Sequence, residues 1–128
     1  MNLKIHKAPL VFISSPMSHP DEEIRLSRVE EAVKFGAWVM DSEQKSVYVA
    51  AFNNVELDRY RKQPTTYEWW YVNMESFLSP AESCYVLCLD GWKESKGVAE
   101  EIAVAKKLGK EIIYYKKLKE GEYIRADI

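Results

Sequence analysis

Hydrophobic and polar positions change their period from one block of the chain to the next. The segments PLVFISS (9–15) and CYVLCLD (84–90) are almost continuous apolar runs, as is typical of strands buried in a parallel sheet. Three longer segments carry apolar residues at helical spacing: HPDEEIRLSRVEEAVKFG (19–36), TTYEWWYVNMESFLSP (65–80) and SKGVAEEIAVAKKLG (95–109). Strands therefore alternate with helices along the chain.

This alternation predicts an α/β fold. Strands joined by helices form right-handed βαβ units, which place the strands in one parallel sheet. We expect a flavodoxin-like or Rossmann-like, doubly wound parallel sheet with helices on both faces, in three layers. Residues 1–128 are predicted to form a single domain, with a core at about residues 9–115 and a polar C-terminal tail at residues 116–128.

Further boundaries follow from residues that start or stop elements. Pro20 suits a first helical turn, and Gly36 is expected to end that helix. Thr65 or Thr66 is expected to cap the middle helix. The other segments are predicted to be one or two strands in AWVM (37–40) and SVYVAAF (46–52), a turn in DSEQK (41–45), a loop over the site in NNVELDRYRKQP (53–64), and a last strand in KEIIYY (110–115).

Composition and charge exclude several classes of function. The 128 residues are 47% hydrophobic, which suffices for one core, and the formal net charge of -2 comes from interspersed acids and bases. Proteins that bind nucleic acid usually present a basic face, so no nucleic acid polymer is expected as a partner. No segment reaches the ~18 consecutive apolar residues of a membrane span, and we expect no signal peptide at the start.

The cysteines and histidines show no metal-site pattern. Cys84 and Cys88 lie on one face of a predicted strand, too far apart for a disulfide, and are interpreted as core thiols of a reducing compartment. We therefore expect a cytoplasmic protein. His6 precedes the fold, and His19 is interpreted as a residue at the start of a helix, with acid–base catalysis as the alternative. Without ligand spacing or a P-loop, neither a metal nor an organic cofactor is expected.

One glutamate of the last helix is predicted to face inward. The helix has an apolar stripe, formed at ~100° per residue by Val98, Ile102, Ala105 and Leu108. Glu101 falls inside this stripe, between Val98 and Leu108. An inward carboxylate is destabilising by several kcal/mol unless a partner or a hydrated cavity compensates for its burial. A polar pocket or a buried structural salt bridge would provide that compensation.

Two loops at the predicted carboxyl ends of strands have the composition of a ligand site. SSPMSHPD (14–21) follows the first strand, and DGWKESKG (90–97) precedes the last helix. Both are rich in hydroxyl residues and lead into helix N-termini, which bind anions through free amides. Open α/β sheets bind ligands at this edge, so the two loops together predict a site for a phosphate or a sugar.

The chain resembles a known family in these same segments. SSPMSHPD, CYVLCLDGW and above all SKGVAEEIAVAKKLGK resemble the nucleoside 2-deoxyribosyltransferase-like superfamily, and within it small phage and bacterial members that share features with the 2'-deoxynucleoside 5'-phosphate N-hydrolases. The resemblance covers about Pro9 to Tyr115 and is weakest in the middle. It implies cleavage or transfer of an N-glycosidic bond on a deoxynucleotide or deoxynucleoside, by a homodimer or higher homo-oligomer.

The resemblance implies roles for individual residues. Glu101 matches the nucleophile that attacks C1' of the deoxyribose, and a place in the first turn of the helix would favour its ionised form. Ser95 matches a serine that helps to hold the 5'-phosphate, which favours a nucleotide over a nucleoside. The residues expected to bind the substrate or its phosphate are Ser14, Ser15, Pro16, Ser18, Ser95 and Gly97.

The middle helix departs from the family pattern. The family commonly has an aspartate there that assists the leaving base, and the matching position falls on Asn73, Met74 or Glu75. Glu75 would replace it as a carboxylate, whereas Asn73 would hydrogen-bond a base without donating an acidic proton. These two residues are therefore further candidates for catalysis. Relatives also carry a His-containing motif after the second strand, which SVYVAAFNNVELD lacks.

Other side chains have more than one interpretation. Arg25 and Arg28 are either phosphate partners or members of surface salt bridges. The aromatic segment YEWWY (67–71) stacks a nucleobase, joins the core or forms a subunit interface, and the interface is favoured. Trp92 either caps the pocket or plugs the edge of the sheet.

Three hypotheses of function follow. The first is hydrolase or transferase chemistry at a glycosidic bond, with Glu101 as the nucleophile. The second is a non-catalytic nucleotide-binding module with a sequestering or regulatory role. The third is a flavodoxin-like interaction domain in which Glu101 is an internal counter-ion. The convergence of an inward carboxylate, a helix N-terminus and hydroxyl-rich loops favours the first.

Overall fold

The computed structural model describes residues 8–128, so residues 1–7, including His6 and the first part of the segment considered for a signal peptide, lie outside the described residues. The elements in chain order are β1 (Leu10–Ser14), α1 (Glu22–Glu43), β2 (Ser46–Val49), α2 (Ala50–Asp58), α3 (Tyr67–Leu78), β3 (Ser83–Leu87), a 3-10 helix (Trp92–Glu94), α4 (Lys96–Lys107), β4 (Glu111–Lys119) and β5 (Glu122–Arg125).

The strands form one five-stranded sheet in the order β2-β1-β3-β4-β5. β1 to β4 are parallel, and β5 pairs antiparallel with β4. α1 packs on one face of the sheet, and α3 and α4 pack on the other. The chain is therefore a single α/β domain with a flavodoxin-like or Rossmann-like arrangement, as the sequence predicted.

Alternating residues of β1 and β3 point to opposite faces of the sheet and form two cores. Phe12 and Val86 pack on the side of α3 and α4, against Leu78 and Val98. The residues between them in sequence pack on the side of α1: Val11, Ile13, Tyr85 and Leu87 join Phe35, Val39, Tyr115 and Tyr123. Because both faces are buried, these strands have continuous apolar runs, which explains why β1 and β3 were evident in the sequence.

α1 is longer than predicted. It runs for 22 residues, so the predicted end at Gly36 and the predicted strand at residues 37–40 are both wrong. A Cβ at Gly36 would lie 2.9 Å from Cγ2 of Val49, and glycine therefore allows α1 to approach β2 closely. The helix ends at Glu43, and Gln44 after it adopts a left-handed conformation with φ of 54°.

The chain turns directly from β2 into a helix. β2 ends at Val49 and α2 begins at Ala50, so the predicted strand in residues 50–52 and the predicted loop in residues 53–58 are wrong. Ala50 and Ala51 are both buried. Their small side chains and high helix propensity allow a helix to start against the sheet, where a strand was predicted from the apolar run.

The C-terminal residues form a hairpin. The residues predicted as a polar tail from residue 116 contain regular structure, because β4 continues to Lys119 and β5 follows a turn at Gly121 with φ of 78°. Tyr123 is buried, with its ring centroid 4.9 Å from that of Phe35 and 5.3 Å from that of Trp38. This one inward aromatic residue anchors an otherwise exposed strand to the face of the sheet that α1 covers.

No helix in residues 8–128 combines the length and the apolar character needed to cross a membrane. The same range contains no group of three or more His, Cys, Asp or Glu side chains arranged to hold a metal ion. Cys84 is buried and Cys88 is half-buried, and both are free thiols.

Candidate functional site

A pocket opens where the chain leaves β1 and β3 at the carboxyl edge of the sheet. The two strands are neighbours, but the helices that follow them, α1 and α4, lie on opposite faces, which leaves a crevice between the connections. The crevice widens into a cavity of about 600 Å³. The residues that line it are Ser15, Met17, Ser18, His19, Arg28, Ala50, Ala51, Asn54, Trp70, Gly91, Glu94, Ser95, Lys96, Gly97 and Glu101.

Glu101 supplies a buried carboxyl to this pocket. Its side chain is only 5% exposed, which confirms the inward orientation predicted from the apolar stripe. The hydroxyl of Ser14, the last residue of β1, donates a 2.6 Å hydrogen bond to Oε1 of Glu101. Over the described part of the chain, no Lys, Arg or His side chain forms an ion pair with Glu101. A buried structural salt bridge is therefore not what compensates for its burial.

Burial changes the acid–base behaviour of Glu101. Removal from water disfavours the carboxylate and raises the pKa of Glu101 to about 8, while the hydrogen bond from Ser14 acts in the opposite direction. The predicted place in the first helical turn is wrong, because α4 begins at Lys96 and Glu101 lies in its second turn. The stabilising effect of a helix N-terminus on a negative charge fades within the first turn. Glu101 is therefore mostly protonated at neutral pH.

The N-terminus of α4 forms another wall of the pocket. Ser95 is the N-cap, and its Oγ accepts a 3.2 Å hydrogen bond from the backbone N–H of Val98. The backbone N–H groups of Lys96 and Gly97 lie in the first turn of α4, where no earlier helical carbonyl accepts from them, and both residues border the cavity. A Cβ at Gly97 would come no closer than 3.9 Å to any neighbour. The absence of a side chain there leaves room in the cavity, and this wall suits an anion.

The serines at the end of β1 and in the loop after it divide between two roles. Ser14 is fully buried and its hydroxyl is engaged by Glu101, so the expected contact of Ser14 with substrate is not available. Ser15 is 7% exposed, lines the cavity, and its Oγ has no hydrogen-bond partner in residues 8–128. Because an unsatisfied buried hydroxyl is destabilising by about 1–3 kcal/mol, Ser15 is well suited to bind a ligand. Ser18 lines the exposed rim, whereas Pro16 is buried outside the lining.

Arg28 joins the two loops of the pocket. Its Nη1 donates to the backbone oxygen of Ser18 at 2.7 Å, and its Nη2 donates to that of Asp90 at 2.9 Å. Arg25 donates to backbone carbonyls of the first loop alone. Within residues 8–128 neither arginine takes part in a salt bridge. Both side chains therefore organise loop backbone, which neither sequence interpretation anticipated.

His19 and Trp92 have local structural contacts. Nδ1 of His19 accepts a 2.9 Å hydrogen bond from the backbone N–H of Asp21 at the start of α1, so a neutral ring carries its proton on Nε2. This contact fits the interpretation of His19 as a residue at the start of a helix, although its ring also borders the pocket. Trp92 lies outside the lining and packs on Tyr114, with ring centroids 5.6 Å apart. It plugs the sheet rather than capping the pocket.

Glu75 is not brought to Glu101. It borders a different cavity, on the outer side of α3, together with Tyr71 and Ser79. Helical geometry accounts for this placement, because the preceding residue, Met74, takes the inward position and is buried in the core. The carboxylate expected to assist the leaving base is therefore outside the Glu101 pocket.

Asn73 approaches the site through another residue. Its side chain and that of Asn53 lie beside the hydroxyl of Tyr48, whose ring is buried and stacked on Phe77 with centroids 4.0 Å apart. Burial, together with the nearby charge of Glu101, raises the pKa of Tyr48. Neither Asn73 nor Tyr48 lines the cavity, so the structure places Asn73 outside the pocket lining.

The aromatic segment of α3 divides between pocket and solvent. Trp70 is half-buried and lines the cavity, whereas Trp69 is 51% exposed. The sequence did not identify Asn54 as a pocket residue, because its segment was predicted to be a loop rather than α2. If AAFNNVELD is predicted as a helix, in agreement with its two buried alanines, Asn54 lies at a fixed position in the wall of the pocket.

The comparisons with known proteins identify one family. A family model described as "Domain of unknown function (DUF4406)" matches residues 10–114, from the start of β1 into β4. This range includes both pocket loops, the N-terminus of α4 and Glu101. The comparison with curated proteins found no match. Because the matched range covers more than half of its residues, the chain belongs to the DUF4406 family.

Proposed function

We propose that this protein cleaves or transfers the N-glycosidic bond of a deoxynucleotide or deoxynucleoside, with Glu101 as the nucleophile. The observation that carries the proposal is the buried carboxyl of Glu101, which Ser14 holds between the ends of two strands at a cavity of about 600 Å³. A titratable group with a strongly perturbed pKa in a cleft is typical of a catalytic site. The resemblance of SKGVAEEIAVAKKLGK to the nucleoside 2-deoxyribosyltransferase-like superfamily supports the same role.

The reaction has two steps. In the first, a carboxylate oxygen of Glu101 attacks C1' of the sugar; the new C–O bond forms as the C1'–N bond breaks, and the electron pair of that bond leaves with the base, which takes up a proton. In the second, water attacks C1', and its C–O bond forms as the bond from C1' to the oxygen of Glu101 breaks. The proton of the water passes to the group that protonated the leaving base, and a second base that attacks in place of water gives transfer. We assign the proton donor for the base to Glu94, because it lines the pocket and Glu75 does not.

The charges around the pocket favour a phosphorylated substrate. Arg28 and Lys96 bring positive charge to the lining, and the N-terminus of α4 adds free amides and the positive end of the helix dipole. The unpartnered hydroxyl of Ser15 offers a further hydrogen bond. We therefore propose a nucleotide, with its phosphate at the N-terminus of α4 and its base toward Trp70, because base–aromatic stacking is worth about 1–3 kcal/mol.

A nucleotide-binding module without turnover is the second candidate. It is favoured by the acid–base state of the site, since burial raises the pKa of Glu101 to about 8 and a protonated carboxyl is a poor nucleophile. The placement of Glu75 outside the pocket also favours it. Such a module would bind a nucleotide, for sequestration or regulation, and release no base.

The experiment that separates the candidates is an assay of base release. The purified protein and its Glu101→Ala variant are incubated with each common deoxynucleoside 5'-monophosphate and with the matching nucleosides, and free base is followed by chromatography. Release by the wild type and not by the variant supports the proposed enzyme. Thermal stabilisation by a nucleotide without release supports the binding module. The absence of both would favour the flavodoxin-like interaction domain.

The homodimer or higher homo-oligomer implied by the resemblance stays a prediction. The exposed side chains Trp69 and Val72, which lie three residues apart on one side of α3, are the ones we assign to contact with a second copy, because exposed apolar patches often mark protein interfaces. Sedimentation velocity of the wild type and of a Trp69→Ser variant tests the assignment. A wild-type assembly that the variant weakens would support it, and a wild-type monomer at assay concentration would contradict it.

A further inference from the structure

One side chain of α1 holds both loops of the pocket. Ser18, which receives the hydrogen bond from Nη1 of Arg28, belongs to the loop after β1, and Asp90, which receives the one from Nη2, belongs to the loop after β3. Ser18 and Asp90 are 72 residues apart in the sequence, yet a single planar guanidinium binds the carbonyls of both. The same side chain borders the cavity between the loops.

The second loop is shaped to receive this guanidinium. Gly91 has φ of 87°, in the left-handed region that favours glycine. A Cβ at Gly91 would lie 2.7 Å from Nη2 of Arg28, so the guanidinium would have to shift from its position between the two carbonyls. Glycine therefore serves two purposes at this position, because it provides the backbone conformation of the loop and leaves space for Arg28.

α1 gives Arg28 a fixed base. Ala32, one turn further along the helix, and Phe35 after it are both buried without measurable exposure. The carbonyls that Arg28 holds belong to segments that lie between regular elements. The helix is thus the rigid partner in this contact, and the loops are the parts that it orders.

We propose that Arg28 is a positioning residue that clamps the two loops at a fixed separation and so sets the width of the pocket. This positioning role depends on the shape of the side chain more than on its charge. Two donor nitrogens held apart in one plane are needed to reach the two separate carbonyls, and the ammonium of a lysine does not provide them. The consequence for substrate binding rests on the proposed function, whereas the clamp itself does not.

The first arm of the test measures the loops without any ligand. Amide hydrogen exchange is followed in both pocket loops, residues 15–20 and 89–95, for the wild type, Arg28→Ala, Arg28→Lys and Arg25→Ala. Arg25 is the matched control, because it lies one turn earlier on α1 and bonds carbonyls of the first loop alone. We expect faster exchange in both loops for both Arg28 variants, and in the first loop alone for Arg25→Ala.

The second arm measures affinity for deoxynucleoside 5'-monophosphates by titration calorimetry. We expect Arg28→Lys to weaken binding by a factor of about ten, as is common for coupled sites, Arg28→Ala, which also removes the positive charge, to weaken it at least as much, and Arg25→Ala to change it less than about twofold. Restoration of wild-type exchange and affinity by Arg28→Lys would overturn the clamp and make Arg28 a simple positive charge.

The two arms fail for different reasons. If both loops exchange at wild-type rates in both Arg28 variants, the clamp is wrong whatever the protein binds. If both loops exchange faster in these variants while the wild type binds no nucleotide, the clamp stands and the proposed function is wrong. Circular dichroism of each variant shows whether the fold is retained, and Arg28→Lys, which keeps the charge and most of the side chain, remains informative if Arg28→Ala is unstable.

Discussion

Ser14 donates a 2.6 Å hydrogen bond to Glu101, and this contact ties the end of β1 to the second turn of α4. Both side chains are buried, at 0% and 5% exposure. The hydrogen bond stabilises the charged form of the carboxyl, whereas burial, which has the larger effect, stabilises the neutral form. Ser14 therefore fixes the orientation of the Glu101 carboxyl and limits the rise in the pKa of Glu101.

Substitution of Ser14 by alanine should shift the pH dependence of base release. The wild-type rate should rise with pH and level off above about 8, because only ionised Glu101 is a nucleophile and its pKa is raised to about 8. Loss of a hydrogen bond to a charged group is worth about 1.5–3 kcal/mol, so Ser14→Ala should move the midpoint upward by about 1–2 pH units. The control is Ser83→Ala, a buried serine in the neighbouring strand whose Oγ has no partner in the described part of the chain. An unchanged midpoint in Ser14→Ala would show that the hydrogen bond does not tune Glu101.

Substitution of Glu101 by glutamine should stabilise the protein increasingly as the pH rises. The pKa of Glu101 is raised from 4.5 to about 8 in the folded state, so between these values the folded protein keeps a proton that the unfolded chain releases. The free energy of unfolding of the wild type should therefore fall with rising pH, by at most about 1.4 kcal/mol per pH unit, and level off above about 8. Glutamine does not titrate, so the free energy of unfolding of the variant, measured with urea at pH 5, 7 and 9, should lack the pH dependence that Glu101 causes. The variant Glu100→Gln keeps Glu101 and should keep the slope. If the free energy of unfolding changes with pH in the same way for the wild type and Glu101→Gln, the pKa of Glu101 is not raised.

Substitution of Ser95 by alanine should weaken nucleotide binding more than nucleoside binding. Ser95 caps α4 beside the free amides of Lys96 and Gly97, so its loss affects the wall assigned to the phosphate. The matched control is Thr66→Ala, which removes an equivalent cap from α3, where Thr66 Oγ1 accepts a 3.1 Å hydrogen bond from Trp69. Each variant should lose about 1 kcal/mol of stability. In calorimetric titrations, only Ser95→Ala should lower the preference for nucleotide over nucleoside, and an equal loss for both ligands would place the phosphate elsewhere.

Substitution of Trp70 by leucine should weaken binding of every nucleotide by a similar factor. Trp70 lines the cavity, and loss of a stacking interaction worth about 1–3 kcal/mol corresponds to roughly a five- to 150-fold increase in Kd. Trp69→Leu is the control, since the neighbouring side chain is 51% exposed and lies outside the lining. Quenching of tryptophan fluorescence by a nucleotide, lost in the Trp70 variant and kept in the Trp69 variant, would locate the base. Equal affinities in both variants would show that the base binds away from Trp70.

Periodicity in the sequence was enough to predict the central elements. β1 and β3 were evident because strands buried on both faces are continuously apolar, and Glu101 was evident because it interrupts a helical apolar stripe. Local patterns failed where tertiary contact decides the structure. Gly36 is typical of a helix end, but it lies in the middle of α1. Its missing side chain allows the helix to approach Val49 closely. Tyr123 reads as part of a polar tail, but its single ring completes an aromatic cluster with Phe35 and Trp38.

The site was predicted in part for the same reason. Ser95 and Gly97, which are two residues apart in sequence, both line the cavity, because the helix N-terminus fixes them locally. A single sequence contains no pattern that indicates contacts between segments far apart in the chain. The bond between Arg28 and the carbonyl of Asp90 joins residues 62 positions apart, and backbone acceptors do not depend on side-chain type. The orientation of Glu75 depends on which face of α3 is buried. The aromatic residues of α3 lie on several faces of the helix, so the sequence did not show which face this is.

The measurement that tests the central claim most directly is mass spectrometry of the protein quenched during turnover. The wild type is mixed with the deoxynucleoside 5'-monophosphate that gives the fastest base release, stopped with acid within one turnover, digested and analysed, with Glu101→Gln treated in parallel. The proposed mechanism predicts a deoxyribosyl 5-phosphate ester on the peptide that contains Glu101, absent from the variant. Base release without an adduct on that peptide, or an adduct on another residue, would contradict the assignment of Glu101 as the nucleophile.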